Sequence, residues 1–109
     1  MPHERSYEVQ LAQVAADLER LVCRLRSLSS HSWRRREDSV RGLAQHLADL
    51  AATADGLPIR AVPALPAHGL ADVIAVLGGD VVASLSDCEG GKVLGMAAEV
   101  VAAGLRDTA

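Results

Sequence analysis

The chain has 109 residues, the size of one domain and too short for two ordinary ones. Half of it is hydrophobic and 23% is charged, which excludes a disordered or collagen-like chain. There is no Phe, and Tyr7 and Trp33 are the whole aromatic content, so Ala, Leu and Val must build the core. Such a composition favours closely packed helices over an aromatic-rich β-sandwich.

A net charge of −3 argues against a surface that binds nucleic acid as a whole. The positive charge is instead gathered in one segment. Arg20, Arg24, Arg26, Arg34, Arg35, Arg36 and Arg41 are opposed there only by Glu37 and Asp38. From Gly56 onward, Arg60, Lys92 and Arg106 face Asp72, Asp80, Asp87, Glu89, Glu99 and Asp107. The opening Met1–Ser6 has no apolar run of the secretory type, and Asp72, Asp80 and Glu99 interrupt the longest apolar stretches. A cytoplasmic protein with no membrane segment is expected. In that compartment Cys23 and Cys88 are expected to be reduced thiols, although their pairing is not excluded by the sequence.

Tyr7, Leu11, Val14, Leu18, Leu21, Leu25 and Leu28 recur at alternating steps of four and three, the seam of a packed helix over about 4–28. The small polar run Ser29-Ser30-His31-Ser32 then reads as a turn. A second seam, Arg36, Val40, Leu43, Leu47, Leu50 and Ala54, predicts a helix over about 35–54. It starts between Trp33 and Glu37, because Glu37 and Asp38 suit a helix N-terminus and Arg34 and Arg35 do not. It stops at Asp55-Gly56. Two long matched seams and a short turn predict an antiparallel helical hairpin.

Pro58, Pro63 and Pro66 make 57–67 an extended strap. Its Leu57, Ile59, Val62 and Leu65 are expected to lie against the bundle.

The next segment supports two readings. Val73–Leu77 and Val81-Val82 around Gly78-Gly79 fit a β-hairpin. Leu70, Val73, Ile74, Leu77, Val81 and Leu85 fit one face of a helix over about 69–86, and this longer match is preferred. After the turn composition Asp87-Cys88-Glu89-Gly90-Gly91, the residues Val93, Leu94, Ala97, Val100, Val101, Gly104 and Leu105 mark a fourth helix over about 92–105. The expected fold is all-α: a four-helix bundle of one long and one shorter helical hairpin joined by the proline-rich strap. The strap is long enough to reach either end, so up-down-up-down and crossover topologies both remain open.

The run Gly42–Leu50, the strap Val62-Pro63-Ala64-Leu65-Pro66 and the stretch His68–Asp72 to Val76–Asp80 resemble small uncharacterised helical proteins of high-GC Gram-positive (actinobacterial) genomes. The resemblance spans about 24–85 and implies a helical chain in a bacterial cytoplasm. It carries no activity to transfer.

Chemistry-bearing patterns are sparse. His3, His31, His46 and His68 show no metal-ligand spacing with one another or with cysteine, so no metal site is expected. Ser39 and Ser84 lie in predicted helix rather than on a strained turn, and no G-x-S-x-G occurs. Gly78-Gly79-Asp80 and Gly90-Gly91-Lys92 match neither phosphate-binding glycine pattern, so no cofactor is expected either. No catalytic residue is named.

The best lead is the basic run, with Arg24, Trp33, Arg34, Arg35, Arg36 and Arg41 as candidate partner-binding residues. Arginines at a helix start oppose the macrodipole, which points to an anion or an acidic partner held there. A solvated charge run explains the same residues more simply, and Trp33 equally suits a plug at the open end of the hairpin. Val76, Val82, Ala83 and Ala102 lie outside the predicted core faces and are candidates for a dimer interface. The expected function is that of a non-enzymatic interaction or adaptor protein acting as a homodimer. The alternative is nucleic-acid or acidic-partner binding through Arg20–Arg41.

Overall fold

A computed structural model describes residues 2–87 and 90–108, with side chains from residue 6 onward. Four helices follow the seams: α1 (Pro2–Ser27), α2 (Ser30–Asp55), α3 (Leu70–Asp87, entered through the 3-10 turn Ala67–Gly69) and α4 (Gly91–Asp107). No strand occurs among the described residues, so the chain is all-α and the β-hairpin reading of Val73–Val82 falls. The readings made for the side chain of His3 and for Cys88 and Glu89 lie outside the described residues.

The start of α2 corrects the prediction by about one turn. Ser29 is extended (φ −69°, ψ 162°) and its hydroxyl accepts the Ser32 N–H at 3.2 Å, while its carbonyl accepts the Trp33 N–H at 2.9 Å. The small polar run taken for a turn therefore begins with an N-cap, and the helix starts at Ser30. Only Leu28 and Ser29 link α1 to α2. At the other end Gly56 adopts the left-handed conformation (φ 69°), and the Leu57 N–H reaches back to the Ala52 carbonyl at 2.8 Å. This is the expected glycine stop.

The two hairpins interleave. α3 packs along both α1 and α2, and so does α4, whereas α1 with α2 and α3 with α4 approach closely at few points or none. Cross-links fix the directions. Arg26 meets Asp72, Leu18 meets Gly78, and the Tyr7 hydroxyl donates to the Leu85 carbonyl at 2.8 Å, so α3 is antiparallel to α1. Tyr7 also accepts the Gly90 N–H at 3.0 Å, and Arg24 donates to the Leu105 carbonyl at 2.8 Å, so α4 returns parallel to α1. The Ser84 hydroxyl donates to Asp55 at 2.7 Å, which places the ends of α2 and α3 together. The bundle thus has one crossover, and the strap runs back along it to supply that crossover.

Close approach of α3 to α1 depends on Gly78. It is buried, and a Cβ there would stand 2.3 Å from Leu18 Cδ2. Gly79 faces open space. The pair that looked like a hairpin turn is a packing notch and its exposed neighbour. Around it the core closes on Leu21, Leu25, Leu47, Leu70, Ile74, Val81, Leu85, Leu94 and Val101.

The strap is held by one side chain. Gln45 donates from Nε2 to the Arg60 carbonyl at 2.9 Å and accepts the Val62 N–H on Oε1 at 2.8 Å. Val62 and Leu65 are half-buried, as predicted, but Leu57 and Ile59 point out to solvent, 61% and 63% exposed. Their placement reverses the expectation. The chain leaves the glycine cap before reaching the Gln45 clamp, so nothing draws those two side chains inward.

One helix bears on the expectation of no membrane segment. Ala67–Asp87 is long and apolar enough by composition to cross a membrane, and only 33% of it is buried. Asp72 and Asp80 fall on one outward stripe, so they interrupt the apolar run without making the helix polar.

Candidate partner-binding site at the turn end

The basic run is dispersed by the fold. Arg24 leaves α1 to cap the C-terminus of α4 through Leu105, where a cation complements the helix dipole. Arg36 lines a groove of about 360 Å³ between α2 and α4, with Val40, Leu43, Val100 and Gly104, and its Nε is buried without a partner among the described residues. Arg41 pairs with Glu37 one turn away at 3.1 Å, on the half-exposed flank of α2. Arg34 and Arg35 remain exposed with no ion pair among the described residues.

The longer α2 places these arginines beyond its first turn. Counting from Ser30, they lie in the second turn, and the macrodipole acts mainly within the first. They are not held against it. What the geometry offers in its place is a concavity of about 640 Å³ where α1, α2 and the start of α3 meet. Leu25 and Ala71 form its buried floor, Trp33 lies half-buried beside them, and Arg26, Arg34, Glu37, His68 and Asp72 stand around the rim. Trp33 packs on the core cluster, so it does plug the open end while leaving part of its ring accessible.

His68 and Arg26 were not singled out as site residues. The route of the strap brings His68 to the turn end, and no local pattern in the sequence shows that route. Arg26 comes with Asp72, which it meets at 2.8 Å from the first turn of α3.

The candidate dimer residues do not form one patch. Val76 and Ala83 are exposed on the same stripe of α3, and Ala83 lines a groove with Leu57, Pro58, Arg60 and Asp80. Val82 turns toward the core cluster and is half-buried. Ala102 lies half-buried on α4, whose backbone approaches α3 closely at few points. Cys23 is exposed on α1. Among the described residues no three His, Cys, Asp or Glu side chains converge as a metal site would require. No family model, curated protein or solved structure matches this chain.

Proposed function

We propose that this chain is a non-enzymatic helical interaction protein of the bacterial cytoplasm that works as a homodimer, pairing through the face formed by α3 and the first half of the strap. The observation that carries this reading is the imbalance of α3: Ala67–Asp87 is apolar enough in composition to cross a membrane, with Asp72 and Asp80 interrupting its outer stripe, yet 33% of it is buried. Val76 is 64% exposed on its outer stripe, Leu57, 61% exposed, lines a groove with Ala83 of that stripe, and Ile59 is 63% exposed two residues further along the strap. A second copy covers such a surface by a two-fold axis, which places the same three side chains on both sides.

Burying an aliphatic side chain that is three-fifths exposed is worth about 1–2 kcal/mol. Asp80 and Arg60 line the same groove and supply the charged rim that fixes register.

Sedimentation equilibrium at tens of micromolar tests this. The wild-type chain is expected at twice the monomer mass of 11.4 kDa, and the Val76→Asp/Ile59→Ser variant at the monomer mass with unchanged helicity. A monomeric wild type, or a variant that remains dimeric, refutes the proposal.

A further inference from the structure

Beyond Ile59 the strap is a surface of a different kind from the pairing face, which it touches only at Arg60. It reads Arg60-Ala61-Val62-Pro63-Ala64-Leu65-Pro66, two prolines at i and i+3 with a cation the same distance ahead of the first. We infer that this stretch is a preformed polyproline II ligand for a partner domain whose groove is lined by aromatic rings and bordered by carboxylates, and that the Gln45 clamp limits its release to that groove.

The conformation is set before any partner arrives. Each proline fixes its own φ at about −65° and drives the residue before it into the extended region, which settles Val62-Pro63 and Leu65-Pro66. Pro66 has φ −59° and ψ 147°, within the polyproline II range. That helix has three residues per turn, and burial along the strap follows the same period. Val62 and Leu65 are half-buried, while Arg60, Ala61, Pro63, Ala64 and Pro66 are exposed. The rod therefore lays one edge on the bundle and turns two outward. Arg60, Pro63 and Pro66 make up one outward edge, and Ala61 and Ala64 the other.

Nothing in the fold uses those outward edges. Among the described residues the Arg60 guanidinium makes no ion pair, and the carbonyls from Ala61 to Leu65 accept no hydrogen bond. An aromatic-lined groove packs its rings against prolines spaced in this way and donates to the free carbonyls between them. A carboxylate on its rim meets Arg60 in a charge-assisted pair, and a cation at one end alone fixes which way the rod lies. Because α2 and α3 tether the strap at its two ends, little conformational entropy remains to be lost on docking.

The third edge gives the clamp its effect. Val62 and Leu65 precede the two prolines, and a groove that closes around a proline also touches the residue before it. Presenting them means lifting the strap against the Gln45 bonds to the Arg60 carbonyl at 2.9 Å and the Val62 N–H at 2.8 Å. Gln45 thereby lowers the affinity of the strap without blocking it.

The probe is a ¹⁵N-labelled SH3 domain that takes Arg-x-x-Pro-x-x-Pro peptides, titrated with the full chain and followed through its groove resonances. The wild-type chain is expected to give saturable shifts that the free peptide Arg-Ala-Val-Pro-Ala-Leu-Pro reverses. Pro63→Ala/Pro66→Ala is expected to weaken binding at least about tenfold with unchanged circular dichroism, and Gln45→Ala to strengthen it. Both prolines lie outside the pairing face, and Val76→Asp/Ile59→Ser is expected to keep the wild-type affinity, which separates this site from self-association. No saturable shift, an unchanged affinity in Pro63→Ala/Pro66→Ala, or weaker binding by Gln45→Ala overturns the inference and leaves the strap a spacer between α2 and α3.

Discussion

Replacing Gly78 and Gly79 by alanine, one at a time, probes the packing of α3 at its tightest point. In a helix interior Gly→Ala is intrinsically favourable by about 0.8–1 kcal/mol. At Gly79 a new Cβ meets nothing within 4 Å, so the variant should gain that amount, a rise of about 4–8 °C in Tm for a domain of this size. At Gly78 the same Cβ would lie 2.3, 2.6 and 2.9 Å from Leu18 Cδ2, Cδ1 and Cγ. Leu18 is 7% exposed and has little room to swing away, so overpacking of about 1–3 kcal/mol opposes the helical gain. The expected net effect at Gly78 is a loss of up to about 2 kcal/mol, a difference of about 1–3 kcal/mol between adjacent positions.

Leu18→Ala completes the cycle. Alone it should cost about 2–5 kcal/mol by leaving a cavity. In that background Gly78→Ala should change sign and stabilise, because its methyl fills vacated space. Urea unfolding at constant slope measures all four variants. Equal stabilisation at both glycines would refute the notch. Destabilisation at both would indicate left-handed glycines in a hairpin turn rather than a helix.

Three further outcomes follow from the cross-links. Tyr7→Phe removes the hydroxyl that joins Leu85 to Gly90, and should cost about 1–2 kcal/mol in chemical denaturation with faster amide exchange at Gly90. Ser29→Ala should cost about 1 kcal/mol and fray the first turn of α2, seen as weaker amide protection at Ser32. Gln45→Ala should release the strap, so that the Val62 amide exchanges faster and limited proteolysis at 57–66 quickens while α1–α4 stay folded.

The four helices were legible because each writes its buried face at helical spacing. Leu11, Val14, Leu18, Leu21 and Leu25 announce α1 whatever surrounds it. Gly56 likewise marks a stop that any context would honour, because its backbone is left-handed. The start of α2 was misplaced because serine favours turns and caps for the same reason: its hydroxyl competes for backbone amides. Whether Ser29 ends one helix or opens the next depends on Ser32 lying within its reach.

The role of Gly78 was hidden, since what excludes a side chain is Leu18, sixty residues earlier. The crossover and the interleaving of the hairpins rest on such distant pairs, and no local pattern encodes them. The site follows the same rule. Trp33 and Arg34 could be named from the chain alone, but their separation from Arg24 and Arg36 depends on which side of α2 receives α4. Likewise, Val82 and Ala102 looked like surplus apolar surface until the positions of their neighbours were known.

The central functional claim is that the outer face of α3, with Leu57 and Ile59, is where two copies meet. A dilution series of ¹H–¹⁵N spectra examines it residue by residue. Amide shifts should change with concentration at Leu57, Ile59 and Arg60 and along Val76, Gly79, Asp80 and Ala83, and stay constant on the outer face of α4. Spectra that do not change across the range, or changes confined to α4, would contradict the claim.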